Sequence, residues 1–122
     1  MANLENYRQH IQAIMNEHAE LVWDKRITAE TIFDLKSDRY QLVYVGWRGS
    51  KRVYGVVLHV DIIDDKIWVQ QDGTEAGIAN KLAERGISKQ NIVLGFDPPM
   101  MRSVHRFCCG IDTTFKSQGI YF

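Results

Sequence analysis

Apolar residues recur every three or four positions at the start of the chain, as they do on one side of an amphipathic helix. Asn3 carries a short polar side chain of the kind that caps helix N-termini. The pattern predicts a helix over residues 3–22, within an N-terminal segment 1–25. One stripe of this helix is expected to pack on a sheet; the alternative is a helix seam between subunits. The stripe contains Leu4, Tyr7, Ile11, Ile14, His18 and Leu21, and we interpret His18 as a core histidine.

Between residues 30 and 72 the pattern changes to that of β-strands. β-Branched and aromatic residues become frequent, and turn-forming residues separate the runs. The connections are so short that they can join only antiparallel neighbours. We therefore predict an α+β fold in which a four-stranded antiparallel meander packs against the long N-terminal helix. The predicted strands are residues 31–36, 40–48, 52–63 and 66–71.

The last predicted hairpin can be paired residue by residue if Asp64 and Asp65 form a two-residue turn. Counting back from this turn gives an apolar face made of three pairs: Ile62 with Ile67, Val60 with Val69, and Leu58 with Gln71. The other face is mixed and contains Asp61 opposite Trp68, His59 opposite Gln70, and also Val57 and Gly55. We expect the N-terminal helix to cover the apolar face.

The strands carry more apolar residues than one covered face can hold. A two- or three-residue turn at Gly49 decides which side of strand 40–48 is covered, and the sequence leaves that register open. Two sets compete for the covered side: Tyr40, Leu42 and Tyr44 against Val43, Val45 and Trp47. An uncovered apolar face would invite a protein partner. The alternative is that the second helix and the C-terminal segment cover it.

Residues 69–82, VQQDGTEAGIANKL, begin as a strand and end as a helix. Asp72 and Glu75 have the spacing of a reciprocal helix cap, and Thr74 is an alternative N-cap. We predict a shorter second helix over residues 75–86, which ends at Gly86 in the left-handed conformation. The polar residues of this joint are thereby explained as capping residues. Residues 92–94 are predicted to form a buried apolar run.

Several segments of this region resemble one known family. They include VGW at 45–47, VYG at 53–55, LHVD at 58–61, IWVQQDGTE at 67–75, GIAN at 77–80, NIVLGF at 91–96 and the two prolines at 98–99. Together they resemble the XisI family, the cyanobacterial fdxN element excision controlling factors, in the same order from about residue 3 to residue 102. Residues 103–122 depart from the pattern. Two alternatives stay open for them: packing within their own chain, or a swap onto a neighbouring subunit.

The resemblance implies a small α+β protein that takes part in a programmed DNA rearrangement. In that process a site-specific recombinase excises an element that interrupts a nitrogen-fixation operon during heterocyst development. The resemblance further implies as partner an XisH-like companion factor, the site-specific recombinase, or both. It says little about mechanism, which has to be sought in the residues themselves.

The charge balance and the cysteines narrow the classes of function. The chain has 122 residues, about one domain, with 15 basic and 15 acidic side chains and a formal net charge of zero. Proteins held to DNA mainly through phosphates usually carry a basic excess, so nonspecific DNA binding is disfavoured. The two cysteines are adjacent. The first residues lack a basic start followed by an apolar run, and no apolar stretch approaches about 20 residues, so we expect neither a secretory signal nor a membrane span. We expect a cytoplasmic protein of one domain, 1–122.

Enzyme signatures are weak. Asp34-Leu-Lys36 and Asp64-Asp-Lys66 have the D-x-K spacing of some metal nucleases, with Asp61 or Asp72 as second carboxylates, but the latter segment is needed as a turn. His18-Ala-Glu20 lacks the cysteine pair of a zinc deaminase. The C-terminal set His105, Cys108 and Cys109 presents adjacent thiols, which suit one zinc ion poorly. We predict no catalytic set, metal or cofactor, and keep a divergent nuclease as the last alternative.

The hairpin over residues 48–52 is the candidate nucleic-acid contact. Arg48, Lys51 and Arg52 lie beside Trp47 and Tyr54, so phosphate contacts and base stacking can be combined. The ordinary alternative is a solvated turn with Arg52 over Trp47.

Our principal hypothesis is a noncatalytic accessory protein that acts by protein contacts and self-associates. The contacts are expected on the mixed sheet face and the polar edge at residues 70–75. The candidate interface residues are Trp47, Val57, His59, Asp61, Trp68, Gln70, Gln71, Asp72 and Glu75.

Overall fold

The computed structural model describes residues 3–102 of the chain. Its elements, in chain order, are α1 (Leu4–Glu20), β1 (Ile27–Asp34), β2 (Arg39–Arg48), β3 (Lys51–Ile63), β4 (Lys66–Asp72), α2 (Ile78–Glu84), a 3₁₀ turn (Lys89–Asn91), β5 (Ile92–Leu94) and α3 (Pro99–Arg102). The predicted α+β class is confirmed. The predictions for the tail 103–122, including His105, Cys108 and Cys109, lie outside the described residues.

The sheet has five strands in the order β1-β2-β3-β4-β5, and not the four that the sequence predicts. β1 to β4 form the predicted antiparallel meander. β5 adds to the edge of β4 in parallel, with Trp68 opposite Val93. A parallel neighbour needs a crossover, which the segment containing α2 supplies. β5 is short and buried at all three positions, so it lacks the alternation that identifies a strand.

α1 packs one stripe on the sheet, as predicted. The Asn3 side chain accepts a hydrogen bond from the Asn6 backbone N–H at 3.1 Å, so the predicted N-cap is confirmed. The stripe buries Tyr7, Ile11, Ile14 and Met15. The helix ends at Glu20 and not at residue 22. Leu21 is 67% exposed because it lies beyond the last turn, so its place on the predicted stripe is wrong.

A hydrogen-bonded triad of Arg8, Asp38 and Tyr40 joins α1 to the β1–β2 turn. The Arg8 guanidinium donates to both carboxylate oxygens of Asp38, at 2.7 and 3.1 Å, and the Tyr40 hydroxyl donates to the same carboxylate at 2.9 Å. The Arg8 hydrogen bonds lower the pKa of Asp38 from its usual value, and burial raises the pKa of Tyr40. The triad therefore holds a charged carboxylate at a turn where the backbone φ of Asp38 is positive, at 56°.

The turn between β2 and β3 settles the register that the sequence leaves open. Arg48 pairs with Lys51, so Gly49 and Ser50 form a two-residue turn. Tyr40 and Leu42 are fully buried under the helices, and Trp47 lies on the opposite face. β1 begins at Ile27, earlier than predicted, because Ile27 pairs with Gly46. A Cβ at Gly46 would lie 2.1 Å from the Arg26 carbonyl oxygen, so only glycine permits this approach.

The predicted β3–β4 hairpin is correct near its turn and wrong further along. Asp64 and Asp65 both have positive φ, at 51° and 62°, as a two-residue hairpin turn of type I′ requires. The predicted pairs of Ile62 with Ile67, Asp61 with Trp68, and Val60 with Val69 are confirmed. Beyond them, Gln70 is an extra residue, so that His59 pairs with Gln71, and Leu58 with Asp72.

A second bulge in β3 corrects the placement of Val57. Leu42 pairs with Leu58 and Val43 with Val56, which leaves Val57 as the extra residue. Val57 packs against the helix-covered core, so the prediction that places it on the mixed face is wrong. The bulge also moves Gly55 to the helix-covered side, opposite Tyr44. Sequence periodicity alone cannot show an irregularity of this kind.

His18 lies at the C-terminal end of α1 in a partly buried position. Its Nε2 atom is buried and has no hydrogen-bond partner among the described residues. Burial, assisted by the positive charge of Lys81, lowers the pKa of His18 from 6.5. The interpretation of His18 as a core histidine is consistent with this environment. None of the helices within residues 3–102 has the length and apolarity that a bilayer crossing requires.

We expect Leu58→Ala to lower the free energy of unfolding by about 2–5 kcal/mol, because it opens a cavity between the sheet and α1. Leu35→Ala is the matched control, since Leu35 is 54% exposed in the β1–β2 turn. It should cost less than about 1 kcal/mol. Urea unfolding followed by circular dichroism measures both. Equal losses in the two variants would contradict the described core.

We expect the pKa of His18 to lie below 6.5 in an NMR titration of its ring protons. The unfolded chain then takes up a proton near pH 6.5 that the folded chain does not. Stability should be greatest above this pH and fall as the pH drops towards the folded pKa of His18. His18→Phe should reduce this slope, and Lys81→Gln should raise the pKa of His18. A pKa of His18 above 6.5 would contradict the described environment.

Candidate partner-binding face

The sheet has one face covered by helices and a second face on the opposite side. α1 and α2 both pack into the core that contains Tyr40, Leu42 and Leu58. The alternating neighbours of these residues point to the other side, which we call the second sheet face. Its exposed large apolar side chains are Ile32 (50% exposed), Trp47 (51%), Val56 (38%) and Tyr54 (72%).

This arrangement confirms the predicted surplus of apolar strand residues. The alternative that the second helix covers the second sheet face is wrong, because Ile78, Ala79 and Leu82 of α2 lie in the core under α1. The C-terminal segment named in the same alternative lies outside the described residues. Isolated exposed apolar residues are common on protein surfaces, but these come from three adjacent strands of one sheet.

A buried carboxylate lies within the second sheet face. Asp61 is only 6% exposed, and its Oδ1 atom lies 3.0 Å from Nε2 of His59 and 3.7 Å from Nε of Arg39. The Gln70 amide donates to its Oδ2 atom at 3.3 Å. His59 and Asp61, two of the candidate interface residues, are thus hydrogen-bonded to each other along β3, while Gln70 contacts Asp61 from the neighbouring strand. Because the carboxylate has these partners, its burial is compensated, and the cluster adds a polar centre to an apolar face.

The polar connection between β4 and α2 is a helix-capping structure. This explains most of the polar residues that the sequence indicates there. Oδ2 of Asp72 accepts from the Ile78 backbone N–H at 2.8 Å, and Oδ1 accepts from the backbone and hydroxyl of Thr74 at 2.9 and 2.6 Å. The Thr74 hydroxyl oxygen also accepts from the Gly77 N–H at 3.2 Å. Asp72 thus stabilises the start of α2 across a six-residue separation.

Two details of the predicted joint are wrong. α2 begins at Ile78 and not at residue 75, because Gly77 has a φ of 84° and is not helical. Because α2 begins at Ile78, Glu75 precedes the helix and cannot occupy the N3 position that a reciprocal cap with Asp72 requires. The helix ends at Glu84, with Gly86 in the left-handed conformation as predicted. Of the remaining interface candidates here, Gln71 is exposed and Trp68 is partly buried.

The carboxylates considered for a nuclease serve as turn residues. Oδ1 of Asp34 accepts from the backbone N–H groups of Lys36 and Ser37, both at 3.0 Å, and these bonds lower the pKa of Asp34. Asp64 and Asp65 form the β3–β4 turn, while Asp61 and Asp72 are bonded as described above. Within residues 3–102, no group of three or more His, Cys, Asp and Glu side chains is arranged to hold a metal ion.

The 48–52 hairpin has the ordinary arrangement predicted for Arg52. Its guanidinium lies 5.3 Å from the centre of the Trp47 ring and 5.7 Å from that of Tyr54, and it donates to the Gly46 carbonyl at 3.3 Å. Arg48 and Lys51 are exposed at the tip. The start of β1 lies alongside, since the Trp47 N–H donates to the Arg26 carbonyl at 3.3 Å.

Sequence reasoning missed three residues at this end of the sheet. Trp23 is 87% exposed, and Lys25 and Arg26 are exposed as well. They are more than twenty residues away from the hairpin along the chain. No local motif marks them, and only the pairing of β1 with β2 brings them to the hairpin.

The fold and this face define a small α+β protein whose sheet is covered by helices on one side and presents apolar residues on the other. The model of the family described as "XisI protein" matches residues 1–109, and the chain belongs to the XisI family. The family resemblance predicted from the sequence is thereby confirmed.

Two solved structures from Anabaena variabilis ATCC 29413 are similar to this chain. A XisI-like protein shares 33% identity with a TM-score of 0.80, over 87% of this chain and 98% of that chain. The fdxN element excision controlling factor XisI shares 31% identity with a TM-score of 0.75, over 88% of this chain and 98% of that chain. A comparison with curated proteins yields no match.

We expect Asp72→Ala to lower the free energy of unfolding by about 1–2 kcal/mol, because it removes the acceptor for the Ile78 and Thr74 N–H groups. Hydrogen exchange at the amides of α2 should accelerate more than exchange in α1. Glu75→Ala is the matched control and should change stability by less than about 0.5 kcal/mol. If both variants lose the same stability, Asp72 is not the cap of α2.

Proposed function

We propose that this protein is a noncatalytic, cytoplasmic accessory factor in the site-specific excision of a DNA element. It acts by protein contacts through the second sheet face. The observation that carries this proposal is the set of exposed apolar side chains on one face of three adjacent strands, namely Ile32, Val56, Tyr54 and Trp47. The similarity to the fdxN element excision controlling factor supports the biological process.

The chemistry of the face favours a protein as its occupant. Ile32 and Val56 present aliphatic surface, and water released from such surface drives association. The buried Asp61 cluster beside them offers His59, which is partly exposed, as an orienting polar group. A mostly apolar centre next to a few defined polar groups is the usual composition of protein interfaces. Gln70 and Asp72 have hydrogen-bond roles within the chain, so we assign the contact chiefly to the exposed residues.

A noncatalytic role is supported by the positions of the acidic residues. The carboxylate of Asp34 caps a turn, and Asp64 lies in a hairpin turn. A divergent metal nuclease would require such carboxylates to converge on an ion. The occupants proposed for the face are a second copy of this chain and an XisH-like companion factor, the latter resting on family membership.

We expect the purified chain to self-associate in sedimentation equilibrium and to bind a purified XisH-like companion. The double variant Ile32→Glu/Val56→Glu should weaken one or both associations by at least about tenfold, because it places charge in an apolar contact. Leu35→Glu is the matched control, since Leu35 is similarly exposed but lies in the β1–β2 turn. Its associations should match those of the unmodified chain.

Circular dichroism establishes that each variant is folded before binding is compared. A chain that stays monomeric at about 100 μM and binds no companion factor would refute the docking role, because a functional contact should form at this concentration. Retention of both associations by the folded double variant would place the contact elsewhere on the molecule.

A further inference from the structure

One end of the sheet concentrates positive charge although the chain as a whole is neutral. The β2–β3 hairpin and the segment before β1 meet there, through the hydrogen bond from the Trp47 N–H to the Arg26 carbonyl. We call this surface the basic end; it comprises Trp23, Lys25, Arg26, Trp47, Arg48, Lys51, Arg52 and Tyr54. A zero net charge therefore does not describe the local field that a ligand would meet at this end.

The cations of the basic end are largely available to a ligand. Asp24 is the acidic residue within this part of the chain, and it pairs with Arg26 at 2.9 Å. Hydrogen bonds from Arg26 lower the pKa of Asp24 to about 2, so this carboxylate stays charged. Arg48 and Lys51 are exposed and form no ion pair within the described residues, although the positive charge of Arg48 also contributes to the lowered pKa of Asp24. The basic end thus keeps a local excess of positive charge that phosphate groups can neutralise.

Aromatic rings lie exposed among these cations. Trp23 is 87% exposed and lines a cleft of about 200 Å³ together with Arg48. Trp47 remains 51% exposed and Tyr54 72% exposed, although the Arg52 guanidinium lies over both rings. Arg52 is therefore held beside the rings, where it offers its remaining N–H groups to a phosphate. Single-stranded nucleic acids use both features, because cations neutralise their phosphates and exposed rings stack on their bases.

We propose that the basic end binds single-stranded DNA. Lys51, Arg48 and Arg52 contact the phosphates. A strand that passes around this end of the sheet stacks on Trp23 at the helix-covered side and on Trp47 at the second sheet face. Exposed rings favour a single strand over a duplex, because the bases of a duplex are already stacked on one another. This surface goes beyond the protein-docking role and does not depend on it, although Trp47 and Tyr54 lie where the two surfaces adjoin.

The test is a titration of the full chain with an oligothymidylate of about 20 nucleotides, followed by fluorescence anisotropy and tryptophan emission. We expect binding that quenches tryptophan emission. Its affinity should fall with salt at a logarithmic slope of about −0.7 for each phosphate contacted. A duplex of the same length should bind at least about fivefold more weakly.

Substitutions distinguish DNA binding at a specific surface from nonspecific electrostatic attraction. Arg48→Glu/Lys51→Glu should weaken binding by at least about tenfold and flatten the salt slope. Trp23→Ala and Trp47→Leu should each weaken binding about fivefold or more and reduce the quenching. Lys36→Glu/Lys66→Glu makes the same change in net charge at the opposite end of the sheet and should have an effect below about twofold. Ile32→Glu/Val56→Glu should retain DNA binding even where it loses protein association.

Any one of four outcomes would overturn the proposal. The first is no binding at near-physiological salt by the folded chain. The second is equal binding and equal quenching by polyphosphate, which has the charge but no bases to stack. The third is equal loss in the variants of the two ends, which would show that net charge alone governs the affinity. Tighter binding of duplex than of single strand would likewise exclude the stacking arrangement.

Discussion

The burial of one side of β2 and β3 under α1 is the constraint on which the rest of the structure depends. Once Leu42 and Leu58 are fully buried against Ile11 and Ile14, the pleat of the strands leaves no choice for their neighbours. Val43, Val45 and Trp47 must then lie on the second sheet face. The apolar character of that face is therefore a consequence of how the first face is filled.

Two bulges modify this alternation where it matters for the surface. The extra residue Val57 lets β3 turn an additional apolar side chain towards the core before Leu58. The extra residue Gln70 brings an amide to within 3.3 Å of the buried Asp61 carboxylate. Among residues 3–102, Asp61 without Gln70 would keep the contacts with His59 and Arg39. An irregularity in pairing thus supplies part of the compensation for a buried charge.

The two proposed surfaces arise from different properties of one sheet. The second sheet face comes from the apolar side of three adjacent strands. The basic end comes from the β2–β3 hairpin and the segment before β1. They adjoin at Trp47, where Arg52 covers part of the ring. An accessory factor that joins a protein to a strand of DNA would use such neighbouring surfaces, because one molecule can then hold both partners at once. Each surface contains residues that the other lacks, so substitutions can test the two roles separately.

The sequence alone determined the elements and much of their order. The apolar spacing of α1, the Asn3 cap, the meander and the Asp64-Asp65 turn all follow from local patterns, and the family follows from ordered motifs. The tertiary structure decided the face parity of β2, both bulges, the parallel strand β5, and the meeting of Trp23 with the 48–52 hairpin. These features depend on contacts between residues distant in the chain, and periodicity within a segment carries no information about which neighbour it meets.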